Sequence, residues 1–339
     1  MKLSDFDFPF DPSLIADRPC EPRDQARLLV VSKETGRCTH RQVRDLPNLL
    51  NDGDLLVVND TRVMAVRLSG RRCPGGGRLD LVLVKKLEER CWEALIKGRI
   101  QVGQTIDIGP DTTVTVKERN RLRSIISVDS KLSINDLLAR YGQMPLPPYM
   151  KRTPGEADRH WYQTIFAREE GAIAAPTAGL HFTEALLQSL NAAGVGLAAV
   201  TLHVGPATFR PVTSKEVVDH VLPPEAFRVP GDTCSAIAAT KARQGRVIAV
   251  GTTVVRALEA ACDATGVVRP HCGETDLFIL PGYRFRAVDG LMTNFHLPHS
   301  TLVMLVSAFL GRQQLLTTYG EAIQQRYRFY SYGDAMLVL

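Results

Sequence analysis

Three times along this 339-residue chain a short apolar run passes through a small-residue turn into a helical stretch, a succession that few folds accommodate. Ala172–Ala175 enters Pro176-Thr177-Ala178-Gly179 and then a helix beginning near Thr183, with Leu186, Leu187 and Leu190 on one face and a stop at Gly194. Arg246–Val250 enters Gly251-Thr252-Thr253 and then Val254–Ala264. Leu277–Leu280 and the run before Asn294 precede a helix over Ser300–Leu310 that ends at Gly311. Alternating strands and helices predict an α/β layer domain with a largely parallel sheet, because a crossover helix returns the next strand in the same direction. Leu55–Val58, closing in Asn59-Asp60, reads as another buried strand of that sheet.

One stretch breaks the alternation. Arg78–Lys85, Cys91–Ile96, Thr105–Ile108, Thr113–Lys117 and Ser124–Val128 are short β-type runs divided by Pro74-Gly75-Gly76-Gly77, Lys97-Gly98, Gly109-Pro110 and a turn around Asn120. Five or six close-spaced strands with no long helix between them predict a small antiparallel barrel or sandwich. A short helix over Leu132–Tyr141 and the stiff Met144–Tyr149 exit complete it. Residues 65–149 are therefore expected to be a β-barrel domain inserted into an α/β domain made of 1–64 and 150–339. Arg62–Tyr149 holds 16 basic and 9 acidic side chains, a net of +7 in a chain of net +5, leaving −2 elsewhere. Such an excess fits a surface facing a polyanion such as nucleic acid, and equally a solvated face.

Several classes fall away. No run approaches the roughly 18 apolar residues of a membrane span, and Met1–Phe10 lacks the apolar core of a signal peptide, so the expectation is a soluble cytoplasmic protein. The seven cysteines are scattered with no C-x-x-C spacing, which predicts reduced thiols and no zinc ribbon. There is no G-x-x-x-x-G-K-[ST], G-x-S-x-G or H-E-x-x-H, and Gly75-Gly76-Gly77 does not open a helix after a strand. Kinase, hydrolase and nicotinamide chemistries are thereby weakened.

Polar clusters at strand ends remain. In open α/β sheets ligands sit beyond the carboxyl ends of the strands, where helix N-termini present free N–H groups. Asn59-Asp60-Thr61-Arg62, Thr177 to His181, Thr252-Thr253 with Arg256, and Asn294 with His296 fit that position. His203-Val204-Gly205 with Thr208 and Arg210 is a fifth such segment. Each has a structural alternative: Thr183 and Thr301 as helix caps, single histidines as packed core groups, Arg62 and Arg210 as partners of local carboxylates. The string Tyr327-Arg328-Phe329-Tyr330-Ser331-Tyr332-Gly333-Asp334 can stack bases or fill the core. Spacing alone yields an α/β enzyme with a ligand site and a possible nucleic-acid contact.

The same strings carry a resemblance. Asn59-Asp60-Thr61-Arg62-Val63, Ala174 to Thr183 and Thr201-Leu202-His203-Val204-Gly205 closely resemble the S-adenosylmethionine:tRNA ribosyltransferase-isomerase family. So do Ile248 to Thr253, Thr293 to Pro298, Tyr332 to Leu337, Asp5 to Phe8, and Arg23-Asp24 with Arg27 to Val30. Two departures stand out. Gly205-Pro206-Ala207-Thr208-Phe209 replaces a G-x-G-T-F pattern, and Val221 to Glu225 lacks a second histidine after His220.

The resemblance implies an enzyme of queuosine biosynthesis acting on tRNA that carries 7-aminomethyl-7-deazaguanine at the wobble position. S-adenosylmethionine would be the ribosyl donor and co-substrate, with adenine and methionine leaving and epoxyqueuosine formed. No metal or prosthetic group is implied, and a monomer is expected. Loss of the C5′ proton beside a sulfonium needs a base, and departing adenine needs an acid or donor. His181 is the expected base, with His203 and His296 orienting or protonating adenine. Asn59, Asp60, Thr177, Thr208, Thr252, Thr253 and Asn294 are expected to hold the ribose and the methionine end. Arg62 and Arg210 would meet a carboxylate or phosphates, and Arg71, Arg72 and Arg78 would grip the tRNA. The rivals are an S-adenosylmethionine methyltransferase, for which no Gly-rich loop follows the first strand, a non-catalytic RNA-binding protein, which leaves the His and Thr turns without purpose, and a family member with lost activity, which the two departures keep open.

Overall fold

The apolar runs of the flanking segments pair into one nine-stranded sheet in a computed structural model that describes residues 1–120, 123–209 and 212–339. In chain order, β1 (Arg27–Val31), β2 (Cys38–Gln42) and β3 (Leu55–Asn59) come first, followed by the short β4 (Thr61–Val63). Six strands follow: β5 (Arg67–Cys73), β6 (Arg78–Lys86), β7 (Cys91–Lys97), β8 (Thr105–Gly109), β9 (Thr112–Arg119) and β10 (Ser124–Ser130). Next are α1 (Ile134–Tyr141), α2 (Asp158–Trp161), β11 (Glu169–Ala172), α3 (Glu184–Ala192), β12 (Gly196–Leu202), β13 (Glu225–Val229) and α4 (Gly231–Ala242). The chain ends with β14 (Val247–Val250), α5 (Thr252–Ala260), β15 (His271–Thr275), β16 (Gly290–Asn294), α6 (Thr301–Leu310), α7 (Arg312–Gln324) and β17 (Ala335–Val338). No described helix is long and apolar enough to cross a membrane.

Residues Met1–Arg62, Pro147–Lys151 and Trp161–Leu339 form one unit, and Val63–Leu146 with Arg152–His160 the other. In the first, the sheet runs β15-β13-β12-β3-β14-β16-β17-β1-β2. Its four central strands, β12, β3, β14 and β16, are mutually parallel, and antiparallel partners lie to either side. Every residue of β3, β14 and β16 is buried, as a strand covered on both faces requires. The period-2 alternation divides them between two cores. Leu55 and Val57 join Val254 and Leu258 of α5 and Val303 of α6, while Leu56 and Val58 join Leu186 and Leu190 of α3. Each such fully buried Leu or Val stabilises by about 1.5–3 kcal/mol. Thr183 caps α3 and Ser300 caps α6 through hydroxyls that accept from Leu186 and Val303 N–H.

Two expected strands differ. Leu277–Leu280 forms no ladder; the strand is His271–Thr275, and the apolar run after it packs its side chains on the core without strand partners. Burial produced that pattern, not pairing. Only Ala172 of Ala172–Ala175 is in a strand, and β11 lies outside the nine-stranded sheet.

In the second unit, β10-β7-β6-β5-β8-β9 close into an antiparallel barrel, which leaves no strand edge open. Inward residues alternate along it, with Leu79, Leu81 and Leu83 of β6 buried between half-exposed neighbours. β5 carries one large apolar residue, Leu68, and so gives little strand signal, yet it bridges β6 and β8. Gly70 makes that possible: a Cβ there would lie 2.5 Å from the Asp107 carbonyl oxygen. Arg152–His160, expected with the α/β domain, belongs to the barrel unit, where Arg159 donates to the Gly142 carbonyl at 2.8 Å and Arg152 pairs with Asp158 at 2.6 Å.

Candidate active site

Four parallel strands ending side by side bring four turns to one edge of the sheet, and the polar residues of those turns interlock. The Asn59 amide, buried at the end of β3, donates to the Leu202 carbonyl at 3.0 Å and to Thr253 Oγ1 at 3.1 Å. Its oxygen accepts from the N–H groups of Leu202 and Thr61. One side chain thus ties the ends of β3 and β12 to the first turn of α5. Asp60 accepts from Thr201 Oγ1 at 2.7 Å and from Arg168 at 3.3 Å, and Thr61 Oγ1 lies 2.8 Å from His203 Nδ1. Gly251 turns β14 into α5 with φ near +100°, a conformation that favours glycine.

A cleft opens above these turns, with Thr177, Thr208, Thr252, Thr253, Asn294 and His296 in its wall. Asn294 organises one side of it. Its Nδ2 donates to the Tyr330 carbonyl at 3.2 Å and faces His181 Nε2 at 3.1 Å, while Thr177 Oγ1 donates to its Oδ1 at 2.7 Å. A carbonyl only accepts, so the amide orientation is set, His181 Nε2 is an acceptor, and the neutral ring carries its proton on Nδ1. Burial pushes His181 down to about 4, with Asp334 opposing and Arg328 and Arg23 adding to the shift. Burial pushes His296 down to about 3; its Nε2 is 3.0 Å from Thr293 Oγ1 and its backbone N–H donates to Tyr319 OH at 3.2 Å. His203, half-buried, is also lowered by burial, with Glu169 and Asp60 pulling the other way. All three imidazoles therefore favour the uncharged form at neutral pH.

Of the sequence candidates, Thr177, Thr208, Thr252, Thr253, Asn294 and His296 share the cavity wall. His181 stands one hydrogen bond behind Asn294, Asn59 one behind Thr253, and Asp60 and His203 are held by Thr201 and Thr61. Arg62 is exposed with Glu170 at 3.9 Å. Arg210 lies outside the described residues. Tyr149, Tyr330 and Ser331 also reach the wall; Tyr330 and Ser331 lie in the string read as able to stack bases or fill the core, whereas Tyr149 had been given no site role. Tyr149 and Tyr330 stack with ring centroids 3.7 Å apart, Tyr149 OH bonds Ser331 Oγ, and Tyr330 adopts φ of 70°. In the aromatic string that contains it, Tyr327, Phe329 and Tyr332 are core residues. The signal was the string itself, in which the left-handed Tyr330 is partly exposed between buried neighbours.

A second cavity shares Thr208, Thr252, Thr253 and Leu302 with the first, and has Glu225 and Arg256 in its wall. In the barrel unit, Arg71 and Arg78 are exposed and directly opposed across the β5–β6 hairpin, and Arg72 beside them donates to the Arg99 carbonyl at 3.1 Å. Among the described residues no group of three or more His, Cys, Asp or Glu side chains is arranged to hold a metal ion.

A family model described as queuosine biosynthesis protein matches residues 3–338. The S-adenosylmethionine:tRNA ribosyltransferase-isomerase of Erythrobacter litoralis is 50% identical over 344 residues, covering 100% of this chain and 98% of that one. The protein of the same description from Symbiobacterium thermophilum is 48% identical over 343 residues and the whole of both chains. A crystal structure of S-adenosylmethionine tRNA ribosyltransferase from Thermotoga maritima superposes with a TM-score of 0.58 at 34% identity, covering 99% of this chain and 100% of that one.

Proposed function

Because the chain belongs to the S-adenosylmethionine:tRNA ribosyltransferase-isomerase family, we propose that it moves the ribosyl group of S-adenosylmethionine onto 7-aminomethyl-7-deazaguanine at the wobble position of tRNA. The group is isomerised in the process to give epoxyqueuosine, and adenine and methionine are released. The observation that carries this reading is the wall of the first cavity, where Thr177, Thr252, Thr253, Asn294 and His296 gather at the carboxyl ends of parallel strands. Hydroxyls and an amide suit ribose, and the stacked Tyr149–Tyr330 rings offer a flat face to a purine-like base.

Electrostatics supports a cationic donor. A sulfonium bound beside imidazolium would be repelled, whereas burial keeps His296 uncharged over the physiological range. His296, at the wall, takes the proton-transfer role for which His181 was the first expectation. His181 acts one step back, orienting Asn294 through its Nε2. The base of the substrate tRNA must leave its stack to reach such a cavity, and Arg71, Arg72 and Arg78 supply phosphate contacts in this reading. The reading carries with it a cytoplasmic monomer, eluting near 37.4 kDa in size-exclusion chromatography.

The test is incubation with S-adenosylmethionine and tRNA bearing the deazaguanine precursor, with chromatography of the small products. Adenine and methionine, with a ribosyl mass added to the tRNA, are expected. S-adenosylhomocysteine instead would make the protein a methyltransferase and end this reading.

A further inference from the structure

The second cavity has a composition that ribose and base do not need. Away from the residues it shares with the first, its wall is apolar at Leu277, Phe278, Ile279 and Leu305 and charged at Glu225 and Arg256. Those two are each 8% exposed and form an ion pair. Both are fixed from behind. Glu225 Oε1 accepts from Gly205 N–H at 2.7 Å, and Arg256 donates to the carbonyls of Leu277 at 3.0 Å and Thr275 at 3.2 Å. Three of the five guanidinium N–H groups are used in this way, and the carboxylate keeps lone pairs in reserve.

An ion pair buried among apolar side chains usually stabilises a fold less than a hydrophobic pair of the same volume. One positioned at a cavity can repay its desolvation through a ligand that bears both charges. We propose that this cavity holds the methionyl end of the donor, its α-ammonium against Glu225 and its α-carboxylate against Arg256. The inference rests on the proposed function, because it takes S-adenosylmethionine as the donor. A zwitterion laid antiparallel to the ion pair gives each of four charges two opposite neighbours. The apolar residues then surround the two methylenes of the methionyl side chain, and the sulfonium falls near Thr252 and Thr253, which both cavities share. The ribosyl carbon attached to it enters the first cavity.

The full chain is titrated with L-methionine, 3-methylthiopropylamine, 4-methylthiobutanoate and adenine, each as a competitor of S-adenosylmethionine. Methionine is expected to compete, and each analogue lacking one charge to bind about 10- to 100-fold more weakly, since each loses a charge-assisted hydrogen bond. Glu225→Gln should weaken methionine and the amine while leaving 4-methylthiobutanoate and adenine unchanged, and unchanged adenine binding reports an intact fold. Equal competition by methionine and both analogues, or none by methionine, overturns the assignment, and this ligand series needs no variant. If methionine is selected through both charges but no adenine is released with substrate tRNA, the functional reading fails and the subsite stands.

Discussion

A single amide, that of Asn294, sets the proton positions on one side of the site. Replacing it by aspartate turns two donors into acceptors that face the Tyr330 carbonyl and the His181 lone pair. Asn294→Asp is expected to cost about 2–3 kcal/mol of stability, read from the urea midpoint, and to lower turnover at least about 100-fold. The histidines add a pH signature. His181 and His296 titrate in the folded protein at about 4 and about 3, below the ordinary 6.5, so the unfolded chain binds their protons first on acidification. Their contribution is complete above pH 6.5 and is lost as pH falls towards 4 and then 3, at up to about 1.4 kcal/mol per pH unit for each. The urea midpoint should therefore fall steadily from pH 7 to pH 5, and His181→Gln with His296→Gln should flatten that slope. An unchanged slope in the double variant would exclude these two groups. At this scale the sequence displayed the polar turn residues, because Asn, Thr and His after an apolar strand have few uses. It offered Tyr330 only within an aromatic string able to stack bases or fill the core, and it hid the pairing with Tyr149, which depends on a left-handed backbone that no spacing encodes.

Among the elements, the β14–α5 turn decides how the site opens. Gly251 has room for a methyl group, with Ala178 Cβ 3.6 Å and Thr253 Oγ1 3.7 Å from the position it would take, but its φ near +100° does not suit an L side chain. Gly251→Ala should cost about 1–2 kcal/mol and raise KM for the donor as α5 shifts Thr252 and Thr253 at the wall. A wild-type KM with a lowered melting temperature would separate strain from function. In the barrel, Gly70→Ala meets a backbone carbonyl at 2.5 Å, so it should loosen the β5–β8 pairing and weaken tRNA binding while donor binding survives. Helices α3 and α6 were legible from their apolar residues and α3 also from its Thr183 cap, whereas the cap of α6 is Ser300 and not Thr301; five of the barrel strands were legible from their β-type runs. β5 was not legible, because Arg-Leu-Ser-Gly-Arg-Arg-Cys buries one large side chain and gains its place from neighbours on both sides. Leu277–Leu280 misled for the opposite reason, being apolar for packing alone.

Over the whole molecule, charge is distributed by segment: +7 between Arg62 and Tyr149 against −2 for the rest. A count of that kind cannot distinguish a binding surface from scattered solvated charge, because it carries no register. The register names the positions to test: Arg71 and Arg78 face each other across the hairpin, with Asp107 of β8 opposite Arg71 on the other side, and like charges directly opposite cost an isolated pair of strands up to about 1 kcal/mol, which a bound anion would relieve. Binding of substrate tRNA should then fall steeply with salt, the slope of log K against log salt measuring the phosphates neutralised. Arg71→Glu with Arg78→Glu should flatten that slope by about 2, near one for each phosphate no longer neutralised, and raise the tRNA KM while leaving kcat at saturating tRNA and the donor KM close to wild type. Both positions lie outside the α/β unit that holds the two cavities, so a fall in kcat at saturation would mean the barrel does more than hold phosphate. A slope unchanged by the reversals would assign the polyanion contact to other residues.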